Sequence, residues 1–599
     1  MKKLMGILAA ALIAGGCIGY KCDFGDVEVK SDAGVAQIES SWKSKSAGLA
    51  DYAIRTVCVS AAGTEPVHVT KLTLAEFPVA VLDKVEVIGT VPGSPVALDD
   101  DTICGVEQPS FKAEKVKTVG DSGVVKLVLD CDLTLKPGEK PLEFRVMCGR
   151  FPKEQRRRAF NDYLEAERAA PSRTFLHYNG WYDFGTEPTE AGMLEIIKSY
   201  AEETAKRGIT MDGYVLDDGW DEQKVAAWRP TPKKFPNGFT TMTKLAEENG
   251  SAFGIWISPL GGYFGVPERI ESAKREGGLP ADATAFDLAY PEYYNWFKGR
   301  CTDLIVKDHS RYFKWDKAGE GVSMHFMKLC ELARELRAIE PKLMINVTVG
   351  TWPSPFWLNH IDCTWRNGTA DVFWYGDAGN ERDKWLTFRD TELYRCFVKK
   401  SPLYPLNSVM HHGIVLGTKY QGATNAKAGN DMKREIRSYF ALGPNMQEIY
   451  VDPKLVGPDF WDQLAESVKW SKRHEKALVD IHWVKGEPLV GDKLGAYMLA
   501  AWKDGDGTIY LRNASAEEKS LTFTLSEAFE LKTLVAGDAR YTVKGAYADD
   551  GVTPLTVEVT DPLTYTLAPL QVLVLEAKAE APRSEMSISP EWDSKWNSF

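Results

Sequence analysis

The sequence is poor in histidine, and it lacks the arrangements that mark a metal hydrolase. Only nine of its 599 residues are His, none stands in an H-x-H or HExxH pattern, and the one adjacent pair is His411-His412. No predicted strand is followed by GxGxxG or GxxxxGK[ST]. Because metal, dinucleotide and phosphate sites depend on such patterns, we expect a reaction that uses no metal and no cofactor.

Positive charge is in deficit and cysteine is sparse. The 72 Lys and Arg residues stand against 84 Asp and Glu, for a net charge of −12, which argues against nucleic acid as the main partner. The ten cysteines form no CxxC pair. Four of them are close enough in sequence to share one small β domain: Cys58, Cys104, Cys131 and Cys148. They can form one or two disulfides or remain buried free thiols, and the sequence does not decide between the two.

Beyond the N-terminus, no apolar run is long enough to cross a membrane. Residues 1–22 combine a basic start, Met1-Lys2-Lys3, with a short apolar stretch, which predicts an export signal and tether. Gly15-Gly16-Cys17 is similar to a bacterial lipoprotein cleavage box. If that box is used, a lipid on Cys17 anchors the protein; if it is not, the protein is secreted. We therefore expect an exported bacterial protein, periplasmic or at the cell surface.

The folded part of the chain divides into three regions. Short alternating runs rich in Val and Thr predict an N-terminal β-sandwich at 23–150 and a smaller C-terminal β-sandwich at 479–577. A charged, helix-prone stretch at 151–171 predicts a linker helix. The Ser-, Pro- and charge-rich end, 578–599, predicts a disordered tail.

The central region, 172–478, alternates buried strand-like runs with helical stretches. This alternation predicts a (β/α)8 TIM barrel, in which the chemistry lies at the C-terminal ends of the strands. The eight candidate strands are 175–181, 213–217, 253–258, 312–316, 343–348, 371–374, 403–408 and 446–451.

Acidic residues and tryptophans occur together where several of these strands end. Carboxylates accept hydrogen bonds from sugar hydroxyls, and indole rings cover the apolar faces of sugars, so the pattern predicts a sugar pocket. The abundance of aromatic residues, with 18 Trp, 23 Tyr and 25 Phe, fits this interpretation. The segments are Tyr178-Asn179-Gly180-Trp181-Tyr182-Asp183, Leu216-Asp217-Asp218-Gly219-Trp220, Trp256-Ile257-Ser258-Pro259 and Phe313-Lys314-Trp315-Asp316.

Four segments resemble successive strand motifs of the clan that holds the retaining α-galactosidases. The order of domains resembles glycoside hydrolase family 36 in particular, which also includes α-N-acetylgalactosaminidases and raffinose-type galactosyl transferases. The resemblance implies a glycoside hydrolase that releases terminal α-galactose-type sugars from glycans through a covalent glycosyl-enzyme. The segments are Tyr214-Val215-Leu216-Asp217-Asp218-Gly219-Trp220, Gly254-Ile255-Trp256-Ile257-Ser258-Pro259, Tyr312-Phe313-Lys314-Trp315-Asp316 and Leu403-Tyr404-Pro405.

The resemblance also implies roles for single residues. Asp316, in the Lys-Trp-Asp motif, matches the nucleophile, and a carboxylate beside Lys314 is kept ionised for such attack. The alternative is a structural salt bridge between the two. Lys314, Asp217 and Asp218 match positions that bind hydroxyls of a galactose-type ring, although Asp-Asp-Gly is also ordinary turn chemistry.

Two aspartates compete for the role of general acid/base. Trp374-Tyr375-Gly376-Asp377 fits the family 36 pattern, in which the acid follows a Trp by three positions, and we favour Asp377. Asp371 is the alternative, because residues 365–371 resemble the acid/base strand of family 27 with one residue inserted.

The chain departs from the family at the loop near the second carbon of the sugar, which here reads Asn346-Val347-Thr348-Val349-Gly350-Thr351-Trp352-Pro353. The terminal sugar can therefore be galactose or N-acetylgalactosamine. Galactosyl transfer is an alternative reaction to hydrolysis. A protein without catalytic activity, a surface lipoprotein that only binds glycans, is the alternative from a different class of function. Further predicted substrate contacts are Trp181, Trp220, Trp256, Asn346, Thr348, Trp352 and Arg366.

Overall fold

The computed structural model describes residues 20–319, 323–429, 431–532, 534 and 539–580. Cys17, nearly all of the predicted export signal, and residues 581–599 of the predicted tail lie outside the described residues. Within the described ranges no helix has the length and apolar character needed to cross a membrane.

The N-terminal region contains two antiparallel sheets. Strand Ala50–Ala61 shows that one face of its sheet is buried: Val57 and Val59 are buried, while Cys58 between them is half-buried. The cysteines described in this region are free thiols. In spatial order, one sheet consists of Glu28–Ala33, Val67–Val79, Gly123–Leu135 and Lys112–Lys117, and the other of Ala36–Ala47, Ala50–Ala61, Leu142–Arg150, Thr102–Val106, Val96–Ala97 and Glu86–Val87.

A buried helix, Arg156–Glu167, connects these sheets to the rest of the molecule. Its Arg157 donates from Nη2 to Asp480 at 2.8 Å and to Glu530 at 2.7 Å. These two acids belong to the segment after the barrel and to the C-terminal region, so the helix ties three parts of the chain together.

The central region contains a parallel sheet of nine strands that curls into a barrel. Its two end strands, Val409–Met410 and Ile414–Leu416, are three residues apart in sequence, so one interrupted strand closes the ring into eight positions. This agrees with the predicted TIM barrel. In spatial order the strands are Val409–Met410, Cys363–Trp365, Met344–Val347, Ser310–Trp315, Ala252–Ile257, Gly213–Leu216, Phe175–Asn179, Met446–Val451 and Ile414–Leu416.

Six of the eight predicted barrel strands coincide with observed strands, and two were wrong. The sixth strand is Cys363–Trp365, whereas 371–374 is a loop that follows it. The seventh is the interrupted strand at 409–416, whereas 403–408 is a turn that ends in a short 3₁₀ helix. Both true strands are too short to show a hydrophobic run, and the loops before and after them are rich in apolar residues.

Helices surround the barrel, and local signals fix where they begin. Asn380 and Asp383 form a reciprocal capping box at the start of Glu381–Leu393, and proline occupies the first turn of Pro291–Val306. The helices of the barrel region are Trp181–Phe184, Glu190–Ala205, Thr240–Glu248, Val266–Arg275, Pro291–Val306, Ser323–Ile339, Glu381–Leu393, Tyr420–Lys427, Lys433–Ala441, Pro458–Arg473 and Glu475–Leu478.

The C-terminal region is again antiparallel. A two-stranded sheet, Lys519–Phe523 with Leu563–Leu567, accompanies a six-stranded one, and Val572–Ala579 extends two residues into the predicted tail. In spatial order the larger sheet consists of His482–Gly486, Ala496–Lys503, Asp506–Asn513, Val572–Ala579, Arg540–Gly545 and Leu555–Glu558.

His474 joins the barrel to this sheet in a way that predicts pH-dependent stability. Burial lowers its pKa, but hydrogen bonds to Asp506 at 3.0 Å and Glu576 at 3.1 Å dominate and raise that pKa to about 9. A folded-state pKa above the unfolded value of about 6.5 stabilises the fold fully below pH 6.5 and no longer does so above pH 9. The contribution is on the order of 3 kcal/mol of unfolding free energy.

We therefore expect His474→Gln to lower the thermal midpoint strongly at pH 6 and much less at pH 9.5. His309→Gln, at an exposed histidine, is the matched control and should show no such difference. An equal loss at both pH values in His474→Gln would contradict this assignment.

Candidate active site

A cavity of about 260 Å³ opens at the C-terminal ends of the barrel strands. Its position agrees with the place where barrels of this kind carry their chemistry. Seven of the predicted site residues line it: Trp181, Asp217, Asp218, Trp256, Lys314, Asp316 and Thr348. Asp371, the alternative acid, lines it as well.

Asp316 follows the strand Ser310–Trp315 and accepts four hydrogen bonds. Trp256 Nε1 donates to Oδ2 at 2.9 Å, and the backbone N–H of Lys317 donates to Oδ1 at 2.7 Å. The hydroxyls of Thr348 and Tyr263 also donate to Oδ1, the latter at 3.1 Å. Four donors to one carboxylate hold it in a single orientation at the cavity wall.

Lys314 and Asp217 form a buried ion pair in the wall of the cavity. Lys314 Nζ lies 2.9 Å from Asp217 Oδ2, which also accepts a bond from the Asn179 amide at 2.8 Å. Burial opposes the charge on Lys314, but Asp217 and Asp316 outweigh it and raise the pKa of the ammonium above its usual range. Lys314 therefore presents a fixed positive charge between two carboxylates. The suggested alternative, a salt bridge from Lys314 to Asp316, does not match this pairing.

Asp218 keeps an acceptor available in the cavity wall. Burial raises its pKa to about 7, while Arg269, which donates to Oδ1 at 3.3 Å, works in the opposite direction. Its Oδ2 atom is buried and accepts no hydrogen bond from the described part of the chain. A buried acceptor without a donor is costly unless a ligand satisfies it, which suits the binding of a sugar hydroxyl.

The structure places the two candidate acids differently. Asp371 lines the cavity, and its pKa is raised by burial and then by the negative charge of Asp316. Asp377 is exposed in the loop before Glu381–Leu393 and is absent from the lining formed by the described residues. Of the two candidates, only Asp371 is among the described residues that line the cavity with Asp316, and this placement favours it over Asp377, the residue preferred from the sequence.

Arg366 holds the loop that carries Asp371. Its buried guanidinium donates to the backbone carbonyls of Asn367 at 2.6 Å, of Ala370 at 3.0 Å and of Asp371. Burial lowers the pKa of Arg366 to about 10. Arg366, predicted to contact substrate, is not among the described residues that line the cavity, and its bonds go to the loop that carries Asp371.

Three other predicted contacts are not among the described residues that line the cavity. Trp220 is fully buried and donates to the carbonyl of Trp256 at 2.8 Å. Asn346 is buried behind Met410, whose sulfur accepts its amide at 2.9 Å. Trp352 donates at 2.9 Å to the carbonyls of Pro92 and Pro109, so it anchors the barrel to the N-terminal region. Each of these three side chains is packed against other parts of the protein, and the residue type alone does not reveal this orientation.

The cavity also contains residues that the sequence analysis missed: Tyr263, Phe264, Val349, Trp365, Met410 and His412. His412 sits at the interruption of the seventh strand with φ +66° and bonds the Tyr182 hydroxyl at 2.9 Å. The only signal for it was the adjacent His pair. Tyr263 and Phe264 are signalled by the three glycines in Gly261-Gly262-Tyr263-Phe264-Gly265, which indicate a tightly shaped loop after the third strand.

A second cavity, of about 420 Å³, lies between the linker helix and the turn at 401–406. That turn precedes the seventh strand, so the cavity is at the opposite end of the barrel. Two of its charged lining residues, Arg157 and Glu530, form an ion pair with each other that connects the linker helix to the C-terminal region. Across the described ranges, no group of three or more His, Cys, Asp or Glu residues is arranged to hold a metal ion.

Comparisons with known proteins show what this chain is similar to in sequence and in fold. Residues 192–330, which include the second to fourth barrel strands, match the family model described as Melibiase. A segment of 185 residues is 36% identical to Alpha-galactosidase 1 of Pediococcus pentosaceus, covering 25% of this chain and 24% of that protein. The resemblance to the α-galactosidases is confirmed. Probable alpha-galactosidase C of Aspergillus flavus is 25% identical over 182 residues, covering 26% of this chain and 23% of that protein.

The α-galactosidase likeness extends over the whole fold. A variant of the GH36 α-galactosidase AgaA from Geobacillus stearothermophilus, crystallised with raffinose, superposes with a TM-score of 0.60 at 13% identity, covering 92% of this chain and 87% of that one. AgaB from the same organism gives 0.59 at 13% identity, with the same coverage. These likenesses show the multidomain fold. In sequence, the chain's aligned segments span about a quarter of the curated relatives named above.

Proposed function

We propose that this protein is a retaining exo-α-glycoside hydrolase that removes terminal α-galactose-type sugars from glycans. One observation carries the proposal: Asp316 and Asp371 line the same cavity at the strand ends, and their environments differ. Asp316 accepts four hydrogen bonds, whereas Asp371 has a raised pKa. A carboxylate held by donors and a carboxyl with a raised pKa are the two groups that glycoside hydrolysis needs.

In the first step, Asp316 attacks the anomeric carbon while the bond to the leaving oxygen breaks. Burial and the charge of Asp316 favour a protonated Asp371, which supplies the proton to that oxygen. Once Asp316 becomes an ester, its negative charge is gone and the pKa of Asp371 falls. Asp371 can then act as the base that takes a proton from water in the second step.

The other residues that line the cavity are suited to binding the hydroxyls of a sugar. Asp218 offers a buried acceptor, Lys314 a fixed cation and Asp217 a second carboxylate, while the indole rings of Trp181 and Trp256 supply apolar surface. A cavity of about 260 Å³ is smaller than the range of roughly 300–1,000 Å³ usual for drug-sized ligands, which supports the capture of one terminal ring.

The first test compares nitrophenyl α-galactoside with the nitrophenyl α-N-acetylgalactosamine analogue, using Asp316→Ala as the blank. We expect the parent to release nitrophenol from the galactoside faster than from the analogue. Faster release from the analogue would identify N-acetylgalactosamine, in place of galactose, as the sugar that the protein removes. Binding without release from either substrate would favour the non-catalytic alternative.

The stereochemistry gives an independent prediction. Two successive displacements at the anomeric carbon should return the α configuration, so proton NMR of the earliest product should show the α-anomer of the released sugar. The β-anomer appearing first would mean that water attacks directly, and Asp316 would then lose its role as the nucleophile.

The surroundings of the barrel are also part of the proposal. We propose that the N-terminal pair of sheets and the C-terminal sheets form β-sandwiches that support the barrel, and that the domains follow the predicted boundaries. Export, with or without a lipid on Cys17, rests on the sequence of residues 1–22. Radiolabelled palmitate incorporation in the parent but not in Cys17→Ala tests the anchor.

A further inference from the structure

The loop after the third barrel strand is shaped to hold one particular side chain against Asp316. Gly261, Gly262 and Gly265 have φ of +87°, +76° and +67°, a region that L side chains rarely adopt. A Cβ on Gly262 would lie 2.7 Å from Trp256 Cη2, and one on Gly261 2.5 Å from Phe286 Cδ2. The loop therefore packs closely on its neighbours, including the tryptophan that donates to Asp316.

Arg269 holds the same loop in place through hydrogen bonds to its backbone. This arginine is fully buried and donates to the backbone carbonyls of Gly261 at 2.8 Å and Phe264 at 2.7 Å. It is itself held by Asp221, with bonds of 2.9 and 2.6 Å. Two carbonyls that flank Tyr263 are thus pinned to a buried ion pair, although the ring of Tyr263 is 46% exposed at the cavity.

We propose that Tyr263 is a positioning residue that assists the departure of Asp316 from the glycosyl-enzyme. Its hydroxyl, 3.1 Å from Asp316 Oδ1, is the one side-chain donor to this carboxylate that comes from the glycine-rich loop. The inference rests on the proposed function, because it concerns the second step of that reaction.

The direction of the effect follows from the charge on Asp316 in each step. In the second step the water oxygen bonds to the anomeric carbon, and the bond from that carbon to Asp316 breaks. The electron pair returns to the carboxylate, and the proton of water passes to Asp371. The donor hydroxyl is bound more strongly as the negative charge develops, so it lowers this barrier. In the first step the charge on Asp316 decreases, so the same donor gives no assistance.

Removing the hydroxyl should therefore slow the second step alone. We expect Tyr263→Phe to lower kcat about tenfold on an activated aryl α-galactoside, in line with the loss of one hydrogen bond to a charged group. KM should fall in parallel, so that kcat/KM stays within about threefold of the parent. A stopped-flow burst of nitrophenol should appear, because the glycosyl-enzyme accumulates.

The matched control is Tyr290→Phe, at a tyrosine that is 39% exposed and lies outside the cavity lining. This variant should keep the kinetics of the parent, and thermal unfolding should show both variants folded. An unchanged kcat in Tyr263→Phe, or a fall in kcat/KM equal to that in kcat, would overturn the inference. A parent that does not hydrolyse any α-galactoside would instead overturn the proposed function.

Discussion

Replacing Asp316 by Ala should abolish turnover while leaving the fold intact. A covalent route has no substitute for its nucleophile, so kcat should fall by a factor on the order of 10⁴ or more. The carboxylate lies at the cavity wall, where water can reach the donors that it leaves behind, so the thermal midpoint should change little.

Chemical rescue makes this result specific to the nucleophile. Azide can enter the space left by the carboxylate and attack the anomeric carbon once, so it should restore part of the activity and give the β-galactosyl azide. Asp377→Ala, at an exposed aspartate outside the lining, is the matched control and should hydrolyse like the parent. Near-normal hydrolysis by Asp316→Ala would remove Asp316 from its role.

The second large effect is expected at Asp371. Asp371→Ala should slow an α-galactosyl disaccharide by roughly 10²–10⁴-fold, because its leaving oxygen needs a proton, and should slow the first step with an activated aryl galactoside far less. Azide should now attack the glycosyl-enzyme, because it needs no base, and the product should be the α-galactosyl azide. Asp377→Ala should change neither substrate.

Both the substrate dependence and the azide product identify the acid/base. If Asp377→Ala showed the selective loss and Asp371→Ala slowed both substrates equally, the assignment drawn from the cavity would be wrong. The pH profile offers a further readout. In the parent, kcat/KM should fall at alkaline pH, because Asp371, whose pKa is raised, loses the proton that it must donate. This fall should be absent in Asp371→Asn.

Much of the barrel could be predicted because its strands are long enough to show a pattern. Ala252–Ile257, Ser310–Trp315 and Met446–Val451 are six-residue strands almost wholly buried, and each is rich in aromatic or β-branched residues, which favour strands. Cys363–Trp365 and the interrupted strand at 409–416 give no such run. Their place in the sheet is decided by pairing with neighbours that are distant in sequence.

The same limit explains which residues could be placed at the cavity from the sequence. Asp217 and Lys314 belong to regular strands or their ends, where the chain direction fixes where the side chain goes, and both line the cavity as predicted. Asp371 and Tyr263 lie on loops whose paths are set by Arg366 and Arg269 through bonds to backbone carbonyls. Such bonds depend on tertiary contacts, and the spacing of residues in the sequence does not reveal them.

The central claim is that Asp316 forms a covalent bond to the sugar. A fluorinated α-galactosyl fluoride, which reacts in the first step and stalls before the second, should inactivate the protein. Mass spectrometry of a digest should then find the added fluorogalactosyl mass on the peptide containing Asp316, and Asp316→Ala should take up no label. A label on Asp371, or inactivation with no labelled peptide, would contradict the account.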